Sequence, residues 1–317
     1  MMKLLESRER KRLAASFGLL IAAFIWGTAF VAQSVGMDYV EPFTFQWARS
    51  FIGSAALIPV ILVMDCSKKK CGYQEKGGND GTESGRNVSV NGKLIAGGIC
   101  CGVVLCIATS FQQIGIMYTS VGNAGFITSM YMILVPILSI FLHKKVKLKI
   151  WICVAAAAVG MYFLSVSETL TISKGDILVA VSAFFFALQI MAVDYFAPLV
   201  DGVKLSCIQF FVVGIISLVV SLIFENPCMN DIIFAAVPIL YAGVLSSGVA
   251  YTLQIIGQKY APPTTATLLM SLESVFSLLG GIVVLHQIPT EREVFGCVLV
   301  FAAVAVSQVD LKFCARL

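Results

Sequence analysis

Two charged side chains fall where charge is expensive. Glu273 lies about ten residues into one apolar run and Arg49 about seven residues into another. An ionisable group at such depth in a membrane costs roughly 2.5–3.5 kcal/mol on insertion scales, so it calls for a function or a partner. A carboxylate there can carry a coupling proton or cation, or meet a substrate amine. It can also be structural, paired to Arg49 or hydrogen-bonded to a neighbouring helix. Arg49 has Gln46 one turn before it and can bind a carboxylate through two parallel bonds. Equally, it can lock helices together or snorkel toward a membrane surface. Asp194, near the end of a further run, reads as an interface residue.

Neutral polar residues recur at helical spacing. Ser247, Tyr251 and Gln254 fall at i, i+4 and i+7, while Asn123, Ile127 and Tyr131 fall at i, i+4 and i+8. Trp26 and Gln33 are seven apart, and Gln112, Gln113 and Gln189 mark two more runs. Helical residues at these spacings lie near one face. Such groups can hydrogen-bond a polar solute, or glue helices at about 0.6 kcal/mol each. Trp26, Gln33, Gln112, Gln113, Asn123, Tyr131, Gln189, Ser247, Tyr251 and Gln254 form the candidate substrate cavity, with Glu273 and Arg49 as its candidate charges. Catalytic chemistry finds no such constellation. His143 and His286 fall at helix ends on opposite sides, outside any nucleophile–base set. No Gly-x4-Gly-Lys-Ser/Thr loop is present. Cys66 and Cys71 are a single x4 pair, too few ligands for a metal site, and no cofactor is expected.

The elements that must position these residues are membrane helices. The chain has 317 residues, 58% hydrophobic and 13% charged, with a mean hydropathy of +0.91. A soluble protein of this size has to present a polar exterior, and this composition cannot supply one. Apolar runs long enough to span ~30 Å of hydrocarbon recur at 13–35, 43–64, 94–115, 121–142, 148–166, 175–195, 204–224, 232–256, 264–285 and 293–310. The first follows a basic stretch and reads as an uncleaved span. Residues 65–92 lack apolar periodicity and read as a flexible loop.

Orientation follows from the basic residues. Of 22 Lys and Arg, 19 fall on the N-terminal side of these spans and two, Lys174 and Arg292, on the other; Arg49 is within span two. That bias predicts cytoplasmic termini and explains the net charge of +4 without nucleic-acid binding. Residues 1–12 and 311–317 are then cytoplasmic ends.

The two halves echo each other. Tyr118-Thr119-Ser120-Val121-Gly122-Asn123-Ala124 is matched by Tyr260-Ala261-Pro262-Pro263-Thr264-Thr265-Ala266 at an offset of 142, which also pairs Ser129 with Ser271. Residues 13–166 and 167–310 therefore read as two five-helix copies. An odd number of spans per copy inverts the second. The predicted fold is an all-α polytopic membrane protein of ten helices in two inverted repeats, an architecture with its site near the midplane.

These residues resemble the EamA-type, ten-span drug/metabolite transporters over about residues 17–310. The resemblance rests on Ala23-Phe24-Ile25-Trp26-Gly27, Trp47-Ala48-Arg49, Tyr118-Thr119-Ser120, Tyr131 through Pro136, and Leu272-Glu273-Ser274-Val275-Phe276. It departs where family members end span nine in Gly-Glu, since His286-Gln287 stands there, and where span four ends in His143-Lys144-Lys145. The resemblance implies a secondary transporter in the bacterial cytoplasmic membrane, exporting small metabolites such as amino acids by alternating access. Its partners are then a small-molecule substrate and membrane lipid, with a second copy of the chain a further candidate. A channel and a non-transport membrane enzyme or scaffold are the alternatives.

Overall fold

The computed structural model describes residues 2–70, 83–165, 173–285 and 290–308, all helical apart from short connections. In hydrocarbon every backbone amide needs an internal partner, which leaves the helix as the spanning form for such apolar runs. The helices are α1 (Met2–Gly36), α2 (Pro42–Lys70), α3 (Glu83–Ile116), α4 (Val121–Ser129), α5 (Tyr131–Phe141), α6 (Leu148–Ser165), α7 (Lys174–Phe196) and α8 (Gly202–Phe224). After them come α9 (Met229–Phe234), α10 (Ala236–Leu240), a π-helical segment (Tyr241–Ala250), α11 (Tyr251–Gln258), α12 (Pro263–Met270), α13 (Glu273–Leu285) and α14 (Glu291–Gln308).

Among the described residues, seven segments are long and apolar enough to cross a membrane, where the sequence predicts ten. The other three expected spans each fall short for a visible reason. Leu148–Phe163 is short, the run from Pro263 is interrupted at Ser271-Leu272, and α14 opens on Glu291, Arg292 and Glu293. The flexible loop expected over 65–92 also narrows. Helix α2 continues to Lys70 and α3 starts at Glu83, because Asp, Ser, Lys and Glu extend an existing helix at little cost. Residues 71–82, the His286-Gln287 pair and the tail 311–317 lie outside the described residues.

Capping fixes the helix starts. The Ser173 and Asp176 side chains form a reciprocal capping box on α7, and Asp201 Oδ1 accepts from the amides of Val203 and Lys204 on α8. Thr290 and Glu293 cap α14 in the same reciprocal way. The start of α2 is capped from far away: the Glu225 carboxylate, at the end of α8, accepts from the amides of Phe43 and Thr44 at 2.8 and 2.7 Å. At the end of α5, His143 takes φ 56° and Lys144 N–H donates to Ser139 O at 2.9 Å. That is a left-handed helix stop, so His143 has a backbone role.

The helices pack in pairs. Helices α2 and α8 run antiparallel, tied by Thr44–Ser221 at 2.8 Å, Gln46–Ser217 at 2.9 Å and Ser54 Oγ to Cys207 O at 3.1 Å. Helix α3 packs on α7 and α8, α6 on α14, and α1 on α13 and the π segment. Lys144 pairs with Asp194, and Lys204 Nζ meets Asp65 at 2.9 Å, both at the end of the bundle that holds the start of α1.

Two glycines let the charged helices approach. A Cβ on Gly27 would stand 2.5 Å from Phe276 Cβ and 2.7 Å from Glu273 O; one on Gly243 would stand 2.9 Å from Arg49 O. Gly27→Ala therefore pushes α1 off α13. We expect a loss of about 1–3 kcal/mol of stability from overpacking, read as a lower detergent melting temperature. Gly122→Ala, with nothing within 4 Å of its new methyl, should melt as the native protein does.

Candidate functional site

The helices surround a cavity of about 40 Å³ lined by Trp26 and Gln33 of α1, Arg49 of α2, Gln112 of α3, Tyr131 of α5, Gln189 of α7, Tyr251 and Gln254 of α11, and Glu273 of α13. Phe30, Thr128, Phe186, Ile190, Ser246 and Met270 complete the wall. Helices α6 and α14 contribute none of these lining residues.

The two charges are both buried, at 5% exposure for Arg49 and 3% for Glu273. They do not pair with each other. Arg49 Nη1 donates to Gln33 Oε1 at 3.0 Å, and its guanidinium carbon sits 5.8 Å from the Phe45 ring centre. Gln33 is held in turn by its own Nε2, which donates to Ala29 O at 3.2 Å. Glu273 Oε1 stands 3.2 Å from Ser129 Oγ, which is also 2.8 Å from Gly125 O, so one hydroxyl proton serves both. Each charge thus leans on neutral groups only, leaving much of its field directed into the cavity.

Local geometry puts Glu273 there. The helical run of the ninth expected span tightens at Ser271-Leu272, where Leu272 N–H donates to Leu269 O at 3.3 Å and Ser274 N–H to Ser271 O at 3.2 Å. Glu273 begins α13 immediately after this turn. Met130 makes the equivalent turn between α4 and α5, its N–H donating to Ile127 O at 3.1 Å, and Tyr131 follows it. Tyr131 and Glu273 are 142 residues apart, the offset of the sequence echo.

Aromatic rings form part of the wall. Trp26 meets Tyr251 edge-on with ring centres 4.8 Å apart, and Tyr251 meets Phe210 at 5.1 Å. Four buried polar atoms without partners belong to this lining, Trp26 Nε1, Arg49 Nε, Gln189 Nε2 and Gln254 Oε1, and others, such as Gln46 Oε1 and both amide atoms of Gln209, lie outside it. Buried polar groups are nearly always satisfied in native proteins, so these four give a polar guest groups to bond.

Comparison with known proteins gives the same picture. The EamA-like transporter family matches residues 13–166 and 173–308. The chain belongs to the EamA-like transporter family. An uncharacterized transporter of Archaeoglobus fulgidus is 30% identical over 297 residues, 93% of this chain and 86% of that protein. The uncharacterized transporter YoaV of Bacillus subtilis is 22% identical over 289 residues, 89% of this chain and 92% of that protein. A solved crystal structure shares the fold, with a TM-score of 0.69 at 17% identity over 93% of this chain and 96% of that one. This protein is accordingly a multi-pass membrane transporter.

In this EamA-like transporter, nine of the twelve candidate residues read from the sequence line the cavity. Gln113, Asn123 and Ser247 are not among its lining residues. Gln113 Nε2 reaches Gln33 O at 3.5 Å, behind the wall. Asn123 belongs to the first turn of α4, where its amide is capped by Ser120. Ser247 is displaced by the π segment. The i, i+4, i+7 spacing assumes 3.6 residues per turn, whereas π bonds run i to i+5 and Tyr251 N–H donates to Ser246 O. Ser246 faces the cavity, and Ser247 packs so close to α2 that a Cβ on Gly53 would stand 2.6 Å away. The paired turns at Met130 and Ser271-Leu272 leave no mark in apolar periodicity, and the 142-residue offset between Tyr131 and Glu273 is their trace in the sequence.

The Gln33–Arg49 bond makes a stability prediction. Gln33→Leu strips Arg49 of its acceptor and leaves a buried cation unpaired, a change of about 1–3 kcal/mol or more. The melting temperature should fall clearly. Adding Arg49→Met should restore most of the loss, because it removes the stranded charge. A double variant that melts no higher than Gln33→Leu would show that this bond does not carry the effect.

Proposed function

We propose that the chain is a secondary carrier that exports a small zwitterionic metabolite of the amino-acid class by alternating access. The observation that carries this reading is the pair of opposite charges, Arg49 and Glu273, facing one polar cavity without neutralising each other. A cation and an anion so arranged match the carboxylate and ammonium ends of one solute. Arg49 offers planar donors to the carboxylate, and Glu273 with the Tyr131 hydroxyl receives the ammonium. Trp26 and Tyr251 supply faces on which the solute's apolar part packs.

The carrier has ten spans in two inverted repeats, and three features support this. Helices α6 and α14, the fifth and tenth spans, pack on each other, as do α2 and α8, the second and seventh. The contact of α3 with α7 has its counterpart in that of α1 with the π segment and α11. Tyr131 and Glu273 follow equivalent helix turns at a 142-residue offset. The strong bias of basic residues supports cytoplasmic termini in a bacterial cytoplasmic membrane. Energy comes from exchange of a proton at Glu273, whose carboxylate must be emptied for each cycle.

The test is amino-acid counterflow in proteoliposomes, with and without a pH gradient. The native protein should run faster with the gradient. Glu273→Gln, which keeps the shape and removes the charge, should lose both this acceleration and at least about tenfold in flux. Gradient-independent flux that survives the substitution would make Glu273 structural and the protein a uniporter.

A further inference from the structure

One feature of the cavity restricts the solute beyond its charges. Gln189 and Gln254 are 0% and 1% exposed, and Gln254 Nε2 donates to Gln189 Oε1 at 3.3 Å. The amide pair stops one bond short of closing. Gln189 Nε2 and Gln254 Oε1, which would complete a cyclic pair by meeting each other, are both buried without a partner. Side-chain amides can be turned over, exchanging nitrogen and oxygen. Turning both keeps the bond and still leaves one N–H group and one carbonyl oxygen free; turning one sets like groups against each other. The pair therefore leaves one donor and one acceptor free on two neighbouring lining residues in either arrangement.

We propose that this opening receives a primary carboxamide, so that the preferred solute is an amino acid with a carboxamide side chain, glutamine or asparagine. This rests on the zwitterion reading above for the other end of the molecule. The solute's carbonyl oxygen accepts from the free Gln189 N–H, and its NH2 donates to the free Gln254 oxygen. An aliphatic side chain of the same shape leaves both groups unpaired. A carboxylate sets one of its oxygens against the Gln254 oxygen. Sites built to hydrogen-bond a substrate group reject analogues that lack it far more strongly than apolar pockets reject a missing methylene.

Binding of four compounds to the purified full chain tests this without depending on transport. L-Glutamine is compared with L-homoleucine, which has the same side-chain shape without polar atoms, and with L-glutamate. Nicotinamide carries the carboxamide without the zwitterion. Glutamine should bind at least about tenfold more tightly than homoleucine and glutamate, and Gln189→Met with Gln254→Met should bring that ratio close to one. The native ratio decides the matter even if the double variant does not fold. Equal binding of glutamine and homoleucine overturns the carboxamide site and leaves the zwitterion reading standing. Binding of nicotinamide with none of the amino acids supports the carboxamide site and removes the zwitterion reading. Binding of none of the four overturns both.

Discussion

A backbone amide that leaves its helix inside hydrocarbon loses a hydrogen bond with no water to replace it. This constraint orders the molecule. Helices α6 and α14, which stay outside the cavity wall, are regular along their described lengths. Three departures from regular α-helix adjoin the cavity. The tight turn at Met130, the turn at Ser271-Leu272 and the ten-residue π segment all adjoin lining residues. Each departure swaps helical bonds for shorter or longer ones rather than abandoning them, so irregularity is obtained without an open backbone.

The charges obey a related rule. An isolated buried ion is costly, and a tight buried ion pair spends its field on its partner. Arg49 and Glu273 take a middle course, each steadied by uncharged neighbours, Gln33 and the Phe45 ring for the one and Ser129 for the other. Packing makes that possible. The absence of a Cβ at Gly27 and Gly243 brings α1 onto α13 and the π segment onto α2, so both charges are set by backbone contacts.

Much of this was legible in the sequence because hydrophobic length and helical period are local properties. The apolar runs located the helices, and the spacing of Trp26, Gln33, Tyr251 and Gln254 put them on the cavity side. Legibility stopped where a local rule met a non-local one. An α-helical wheel puts Ser247 with Tyr251, whereas the π turn rotates it toward Gly53. Gln113, adjacent to Gln112, was counted with it although neighbouring residues point about 100° apart on a helix. The ends of α2 and α3 ran into the loop expected between them, since apolar content marks the membrane and helix propensity does not stop there.

The ties between α2 and α8 are unequal at their two ends. At one end the Glu225 carboxylate holds two backbone amides and the Thr44 hydroxyl of α2. At the other, Lys204 and Asp65 meet in a half-exposed pair, a contact worth about 0–1 kcal/mol. The Gln46–Ser217 and Ser54–Cys207 bonds lie between these two ends, so the hold on α2 weakens stepwise from Glu225 toward Lys204. Work done to part the two helices therefore meets least resistance at the Lys204 end and most at the Glu225 end.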